Sequence, residues 1–207
     1  MIFGPNIFLL ITLTERSVKI ERSVVMATHV CDSSHSWFLD NPFRRIIHNP
    51  KKMFGGLINP GDTVIDIGCG PGTFTNELAK LVGEEGRVIA VDMQQEMLDQ
   101  ALLKAERNGL DTRITFHCCT QDGLGLSKKA DFILAFWMAH EVPDKDRFFS
   151  EISGLLKEKG VFFLTEPRFH VTRQDFEDTV GLAGDAGLRV SGVRSVFFGR
   201  TVVMKRA

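Results

Sequence analysis

The sequence predicts an α/β fold in which a doubly wound, mostly parallel sheet of seven strands carries helices on both faces. Short apolar runs with β-type alternation are separated by segments whose apolar residues recur at helical spacing, so helical crossovers join consecutive strands. A glycine-rich turn connects the first of these runs to its helix. The last connection, about residues 194–196, is too short for a crossover, and the final two strands should form an antiparallel hairpin.

The expected elements follow one another without an internal repeat or a low-complexity segment. With 207 residues, 43% of them hydrophobic, the chain can bury one substantial core. We expect strands at about 63–67, 87–91, 113–118, 130–137, 160–166, 188–193 and 197–205, and helices at about 74–82, 94–108, 148–156 and 172–186.

Two segments precede the first strand. Residues 1–25 are expected to be a poorly packed extension, and residues 26–207 the folded domain. The apolar run Ile7–Leu13 is too short to cross a bilayer and lacks the flanks of a secretory signal, so we expect no membrane association. Residues 40–57 offer two short helices, each with a proline where the first helical turn tolerates it, and these helices should form a lid over the site.

Charge and cysteine content narrow the class of protein. The net charge of −1 gives no indication of a nucleic-acid partner. The four cysteines do not form a disulfide framework, which is typical of a cytoplasmic protein.

The turn after the first strand is the most informative motif. Gly68, Gly70 and Gly72 form a G-x-G-x-G loop, whereas the dinucleotide fingerprint G-x-G-x-x-G requires glycine where this chain has Thr73. The spacing argues against NAD or FAD. A cofactor without phosphate needs carboxylates for its ammonium group and its ribose hydroxyls, and Asp66 is one of them.

The second carboxylate, Asp92, ends the next apolar strand, twenty positions after the last glycine of the loop. In a doubly wound sheet, an acidic residue at this strand tip reaches the ribose hydroxyls of a ligand above the glycine loop. Both motifs together resemble those of class I S-adenosylmethionine-dependent methyltransferases. The resemblance implies their seven-stranded Rossmann-like sheet and S-adenosylmethionine as the cofactor.

Further similarity extends over about residues 31–207 to a group of small methyltransferase-like proteins that are loosely akin to the ubiquinone and menaquinone C-methyltransferases. It implies methyl transfer to a small-molecule acceptor. Two alternatives remain open: a protein that binds S-adenosylmethionine as a sensor without catalysis, and a nucleotide-dependent oxidoreductase, which Thr73 disfavours.

Other cofactor contacts are expected at the carboxyl ends of the strands. Met93 could lie on the adenine or be a hydrophobic residue at a helix start. In the related enzymes an acidic residue after strand three accepts a hydrogen bond from the adenine amino group. Cys119 takes its place here, so Gln121 or Asp122 could take over the role, or Asp122 could cap a turn. Phe136 could border the cofactor or be a core aromatic residue.

Catalytic candidates follow strand four. His140 and Glu141 are the polar residues best placed to orient or deprotonate the acceptor, since histidine takes up a proton near neutral pH and a carboxylate can fix its tautomer. A packing role for His140 is the alternative. Cys31 and His35, together with His140 and His170, could instead bind a metal ion, but none has the paired spacing of a zinc motif, and we predict no metal site.

Overall fold

The computed structural model describes residues 48–207, which form one seven-stranded sheet with the order β3-β2-β1-β4-β5-β7-β6. Every strand pair is parallel except the two pairs that β7 makes with β5 and β6. The strands are β1 (Thr63–Ile67), β2 (Arg87–Asp92), β3 (Ile114–Cys118), β4 (Ala130–Phe136), β5 (Leu156–Pro167), β6 (Leu188–Gly192) and β7 (Gly199–Arg206).

Five α-helices connect or precede these strands in the described part of the chain. They are α1 (Pro50–Phe54), α2 (Thr75–Val82), α3 (Gln95–Arg107), α4 (Lys145–Leu155) and α5 (Arg173–Asp185), and short 3₁₀ turns cover Asp111–Arg113 and Ala139–Glu141. Side chains cap three helix starts: Asn49 for α1, Asp144 for α4 and Thr172, in a capping box with Asp175, for α5.

The central strands are buried on both faces, which explains their continuous apolar sequences. Alternate residues of β1 belong to different cores: Val64 packs with α2 and α3, whereas Ile65 packs with α4 and α5. Phe54 of α1 is fully buried on the first side, with its ring centroid 5.2 Å from that of Phe163.

The strand order reverses at β1, which pairs with β2 on one side and β4 on the other. At such a switch point the loops after neighbouring strands diverge and leave a crevice at the carboxyl edge of the sheet. The glycine loop follows β1, and Trp137 follows β4 with φ of 60°, a left-handed backbone angle that side chains rarely adopt. The glycine loop, which sequence analysis assigned to the site, and Trp137, which it did not, therefore lie on opposite sides of this switch point.

The predicted fold class, including the antiparallel C-terminal pair, is confirmed. The structure differs from the expected boundaries mainly at β5, which starts at Leu156 because the chain passes from α4 into the strand without a loop. Residues 119–129, between β3 and β4, contain no helix.

Some expectations concern residues outside the described range: the extension 1–25, the first lid helix, and Cys31 and His35. The second lid helix corresponds to α1, and its proposed covering of the site stays a prediction. No helix between residues 48 and 207 is both long and apolar enough to span a membrane.

Candidate functional site

The glycine loop is held against the end of β2. Two consecutive backbone N–H groups, of Gly68 and Cys69, donate to the carbonyl of Val91 at 2.8 and 3.0 Å. Gly70 has φ of +53°, and a Cβ built on it would meet no atom within 4 Å. At Gly68, by contrast, a Cβ would lie 2.8 Å from Cγ of Met138. The loop therefore passes beneath open space at Gly70, which is where a cofactor in close contact with the backbone would lie.

The Asp92 carboxylate bridges this loop and the start of α3. Its Oδ2 accepts from the backbone N–H of Gly70 at 2.9 Å, and its Oδ1 accepts from that of Gln94 at 3.0 Å. Burial raises the pKa of Asp92, while the backbone donors at Gln94 and Gly70 oppose that rise. Asp92 thus sets the loop conformation as well as lying at the strand tip predicted to contact ribose.

Asp66 is almost completely buried and accepts from Oγ1 of Thr75 at 2.7 Å. Burial raises its pKa to about 7, against the Thr75 hydrogen bond, and the charge of Asp92 adds to the rise. Near neutral pH this carboxylate is therefore close to its midpoint. A cation placed beside it would favour its ionised form, which suits a ligand that carries an ammonium group.

The adenine-side candidates lie on exposed loops. Met93 is 38% exposed after β2, and its carbonyl accepts from Sγ of Cys118 at 3.5 Å. Gln121 and Asp122 occupy an exposed turn after β3, in which Oγ1 of Thr120 accepts from the backbone N–H of Asp122 at 3.3 Å. The turn gives Asp122 an accessible carboxylate, and its adenine contact stays a prediction.

Phe136 lies in an aromatic cluster at the tip of β4. Its ring centroid is 4.4 Å from that of Phe74, 5.2 Å from Trp137 and 5.3 Å from His48. Nε2 of the buried His48 lies 3.0 Å from the carbonyl oxygen of Phe197. Exposed Phe169 continues the cluster, with an edge contact to Trp137 at 5.6 Å. Phe136 is 6% exposed and therefore packs within this aromatic cluster, at the tip of β4.

His140 lies in the 3₁₀ turn after β4, and the buried carboxylate of Glu166, from β5, contacts it twice. His140 Nδ1 lies 2.6 Å from Oε2 of Glu166, and the backbone N–H of His140 donates to Oε1 at 3.0 Å. An ionised carboxylate only accepts, so this contact requires a proton on Nδ1, which in a neutral ring leaves the lone pair on Nε2. Glu141 approaches that nitrogen to 3.9 Å.

Four ionisable groups surround His140: Glu166 from β5, Glu141 from the same turn, Lys145 from α4 and His170 after β5. Burial lowers the pKa of His140, but the hydrogen bond and charge of Glu166 and the charge of Glu141 outweigh burial and the opposing Lys145, so the pKa is raised. The His170 ring lies 5.1 Å from that of His140, centroid to centroid. The arrangement is that of a histidine held by one buried carboxylate.

Sequence analysis did not identify Glu166 as a functional residue. The available signal was topological: residues 136 and 165 are paired in register between β4 and β5, so the strand tips that carry His140 and Glu166 must meet. Thr75, His48 and Trp137 were also missed, and nothing in their local sequence distinguishes them from core residues.

No group of three or more His, Cys, Asp and Glu side chains within residues 48–207 could hold a metal ion. His140 and His170 are neighbours, whereas Cys31 and His35 are outside that range. Of the four residues in the metal alternative, the described range contains His140 and His170, whose ring centroids lie 5.1 Å apart.

A switch-point crevice with a glycine loop and two acidic strand tips defines a domain for a nucleoside-type cofactor without phosphate. The open space at Gly70 and the carboxylates of Asp66 and Asp92 fit the backbone contact, ammonium group and ribose of S-adenosylmethionine.

A family model described as "Methyltransferase domain" matches residues 58–184, and the chain therefore belongs to this family. A demethylmenaquinone methyltransferase from Lactobacillus johnsonii is 35% identical over 114 residues, which cover 53% of this chain and 46% of that protein. A probable cobalt-precorrin-6B C(15)-methyltransferase (decarboxylating) from Pyrobaculum calidifontis is 30% identical over 139 residues, which cover 62% of each chain. The chain thus spans less than two thirds of either relative.

Among solved structures, a SAM-dependent methyltransferase from Aquifex aeolicus shares 26% identity with a TM-score of 0.76, covering 85% of this chain and 99% of that one. A putative rRNA methylase from Clostridium thermocellum, at 17% identity, a TM-score of 0.59 and coverage of 74% and 93%, shares the fold alone. The family and the Aquifex structure confirm a class I methyltransferase domain and S-adenosylmethionine as its cofactor.

Proposed function

We propose that this protein transfers the methyl group of S-adenosylmethionine to a small-molecule acceptor. The observation that carries the proposal is the switch-point crevice, which has the Asp92-anchored glycine loop on one side and the His140–Glu166 pair on the other. One side has the groups to hold the cofactor, and the other has a side chain able to take up a proton.

The proposed cofactor site uses groups of three kinds. The glycine loop gives close backbone approach, and the carboxylates of Asp66 and Asp92 take the ammonium and ribose. The exposed residues after β2 and β3 border the adenine, together with the aromatic cluster at the tip of β4. Its members are Asp66, Gly68, Gly70, Gly72, Asp92, Met93, Gln121, Asp122 and Phe136.

Bound S-adenosylmethionine supplies an electrophilic methyl group on a positively charged sulfur. The protein's task is to position the acceptor, exclude water and, where the acceptor carries a proton, remove it. His140 is the proposed base, and Glu141 the second proposed catalytic residue, because it lies 3.9 Å from the Nε2 atom that would receive the proton.

Three observations support a small-molecule acceptor. The chain has 25 Lys and Arg against 26 Asp and Glu, so it has no net positive charge that would favour a phosphate backbone. The curated relatives named above act, by their names, on a menaquinone precursor and a precorrin. Phe169, Phe197 and Phe198 are exposed aromatic residues that suit an acceptor with an apolar part. The Phe169 ring contacts Trp137 after β4, and the carbonyl of Phe197 contacts His48 of the same aromatic cluster.

The test has a binding arm and a transfer arm. Calorimetry should show binding of S-adenosylmethionine and S-adenosylhomocysteine and none of NADH; tight NADH binding alone would support the oxidoreductase alternative. Transfer of isotope-labelled methyl groups should then be followed in a metabolite extract, in purified RNA and in total protein. Label in RNA or protein would contradict a small-molecule acceptor, and binding without transfer to any fraction would favour the sensor.

A further inference from the structure

We propose that Glu166 is a positioning residue for methyl transfer: it fixes the tautomer and orientation of His140 so that Nε2 is the proton-accepting atom. This inference rests on the proposed function. It also limits the acceptor to one that loses a proton, such as a hydroxyl, an amine or an activated carbon.

Burial of the Glu166 carboxylate is energetically costly. Its side chain is 1% exposed, and within residues 48–207 no Lys or Arg forms an ion pair with it. Both carboxylate oxygens instead accept from His140, one from the ring and one from the backbone. A carboxylate in the interior is costly unless it is paired, and an apolar side chain would generally suit this buried strand better. The residue therefore contributes to the site more than to stability.

The geometry of the Glu166 contacts restricts His140. Two hydrogen bonds from one carboxylate to one residue restrict both the 3₁₀ turn and the ring. The ring therefore remains oriented before an acceptor binds, which reduces the ordering needed on the way to the transition state. Glu141 cannot do the same, since its carboxylate lies 3.9 Å from the other ring nitrogen and is 32% exposed.

The proposed reaction step transfers one methyl group and one proton. The acceptor atom uses its electron pair to form a bond to the methyl carbon, the carbon–sulfur bond breaks with its pair remaining on sulfur, and the acceptor's proton passes to Nε2 of His140. Glu166 keeps its negative charge and stabilises the imidazolium that forms. The proton then leaves to solvent, which reaches the partly exposed ring.

The decisive measurement is nuclear magnetic resonance of the histidine rings in the full chain without ligand, with His140→Gln used for assignment. At pH above its titration, His140 should carry its proton on Nδ1, and its pKa should be above the usual value for histidine. A neutral ring protonated on Nε2 in the unaltered protein would overturn the proposal, whether or not any variant folds.

Glu166→Gln and Glu141→Gln form a matched pair, because each removes one carboxylate next to the same ring. An amide has one accepting oxygen and cannot satisfy both donors of His140, so Glu166→Gln should lower the pKa of His140 and disturb the tautomer. Glu141→Gln should lower the pKa less and leave the tautomer unchanged. The reverse order of effects would assign the role to Glu141.

Kinetics separate this inference from the proposed function. Glu166→Gln should lower kcat by roughly 10- to 10⁴-fold, the upper figure being that for loss of the orienting carboxylate in a Ser-His-Asp triad. The Kd of S-adenosylmethionine should not change, and Glu166→Asp should restore part of the rate. The expected ring spectra with unchanged kcat in Glu166→Gln would refute the positioning role while methyl transfer itself stands. Absence of methyl transfer in the unaltered protein would refute the proposed function and the positioning role together, and the ring spectra would then report only the tautomer of His140.

Discussion

The two sides of the crevice use carboxylates differently. On the cofactor side, Asp92 and Asp66 accept from groups 22 and 9 positions away, Gly70 and Thr75, and so shape the loop that follows β1. On the acceptor side, Glu166 accepts from His140, 26 positions away, across the tips of two adjacent strands. The first arrangement anchors the loop and the start of α2, and the second fixes a titratable side chain.

This difference determines how closely each side of the crevice is adapted to one particular ligand. A backbone loop closed by aspartates presents the same surface whatever the acceptor is, which suits a cofactor shared by a large family. The proposed acceptor side depends on individual side chains and on Trp137 in a left-handed conformation, an unfavourable backbone state that occurs preferentially at functional sites. Substitutions on the two sides should therefore affect different measurable quantities.

The largest effect is expected at His140. If the ring takes the acceptor's proton, His140→Ala should lower turnover by about 10²- to 10⁴-fold and leave the Kd of S-adenosylmethionine nearly unchanged. His140→Gln should not restore turnover, because an amide cannot carry the proton away. Single-turnover rates with an identified acceptor measure both variants, and a retained rate in His140→Ala would reduce His140 to packing.

Asp92→Ala should act on binding instead. Loss of hydrogen bonds to a charged group costs about 1.5–3 kcal/mol, which is roughly a 10- to 150-fold weaker Kd for S-adenosylmethionine. Asp92→Asn, which keeps one acceptor for the N–H of Gly70, is the control and should retain part of the affinity. An unchanged Kd in calorimetry would mean that Asp92 serves only the loop.

A pH effect should distinguish the two sides further. The pKa of Asp66 is about 7, so this side chain is partly protonated near neutrality, and binding of a cationic cofactor should release a proton there. Calorimetry of S-adenosylmethionine binding in buffers of different ionisation enthalpy should detect the release near pH 7 and little of it above pH about 9. Asp66→Asn should abolish it, whereas His140→Gln should not; equal release in Asp66→Asn would assign the proton to another group.

The same pKa affects stability of the ligand-free protein. Because the folded-state pKa of Asp66 is above the unfolded value, the native state binds more protons, and this group makes the protein less stable as pH rises from about 4 to 7. The Tm of Asp66→Asn, measured by thermal unfolding, should accordingly fall less over that interval than the Tm of the unaltered protein. If the Tm of both proteins depended on pH in the same way, the assignment of this effect to Asp66 would be contradicted.

The smallest effect is expected from the N-terminal segment. Deletion of residues 1–25 should leave Tm and cofactor affinity unaltered, since the segment has neither helix caps nor a continuing amphipathic pattern. Differential scanning calorimetry of the truncated chain measures this. A large fall in Tm would show that the run Ile7–Leu13 packs on the domain.

The sequence by itself determined the fold class and the glycine loop with its strand-end aspartate, which the proposed cofactor site uses. Strands buried on both faces leave continuous apolar runs, and a tight loop under a ligand requires glycine at fixed spacing, so both features appear as local patterns. Residues Gly68, Gly70 and Gly72 and the strand-end carboxylate Asp92 could for that reason be selected without coordinates.

Only the tertiary structure decided which carboxylate holds His140. In the sequence Glu141 is adjacent, and Glu166 is one of several charged residues near a strand end. Pairing of β4 with β5 brings Glu166 to 2.6 Å from Nδ1, whereas Glu141 remains at 3.9 Å from Nε2. The choice depends on strand register and on the direction of two side chains, and no local pattern records a contact between residues that meet only after the sheet has formed.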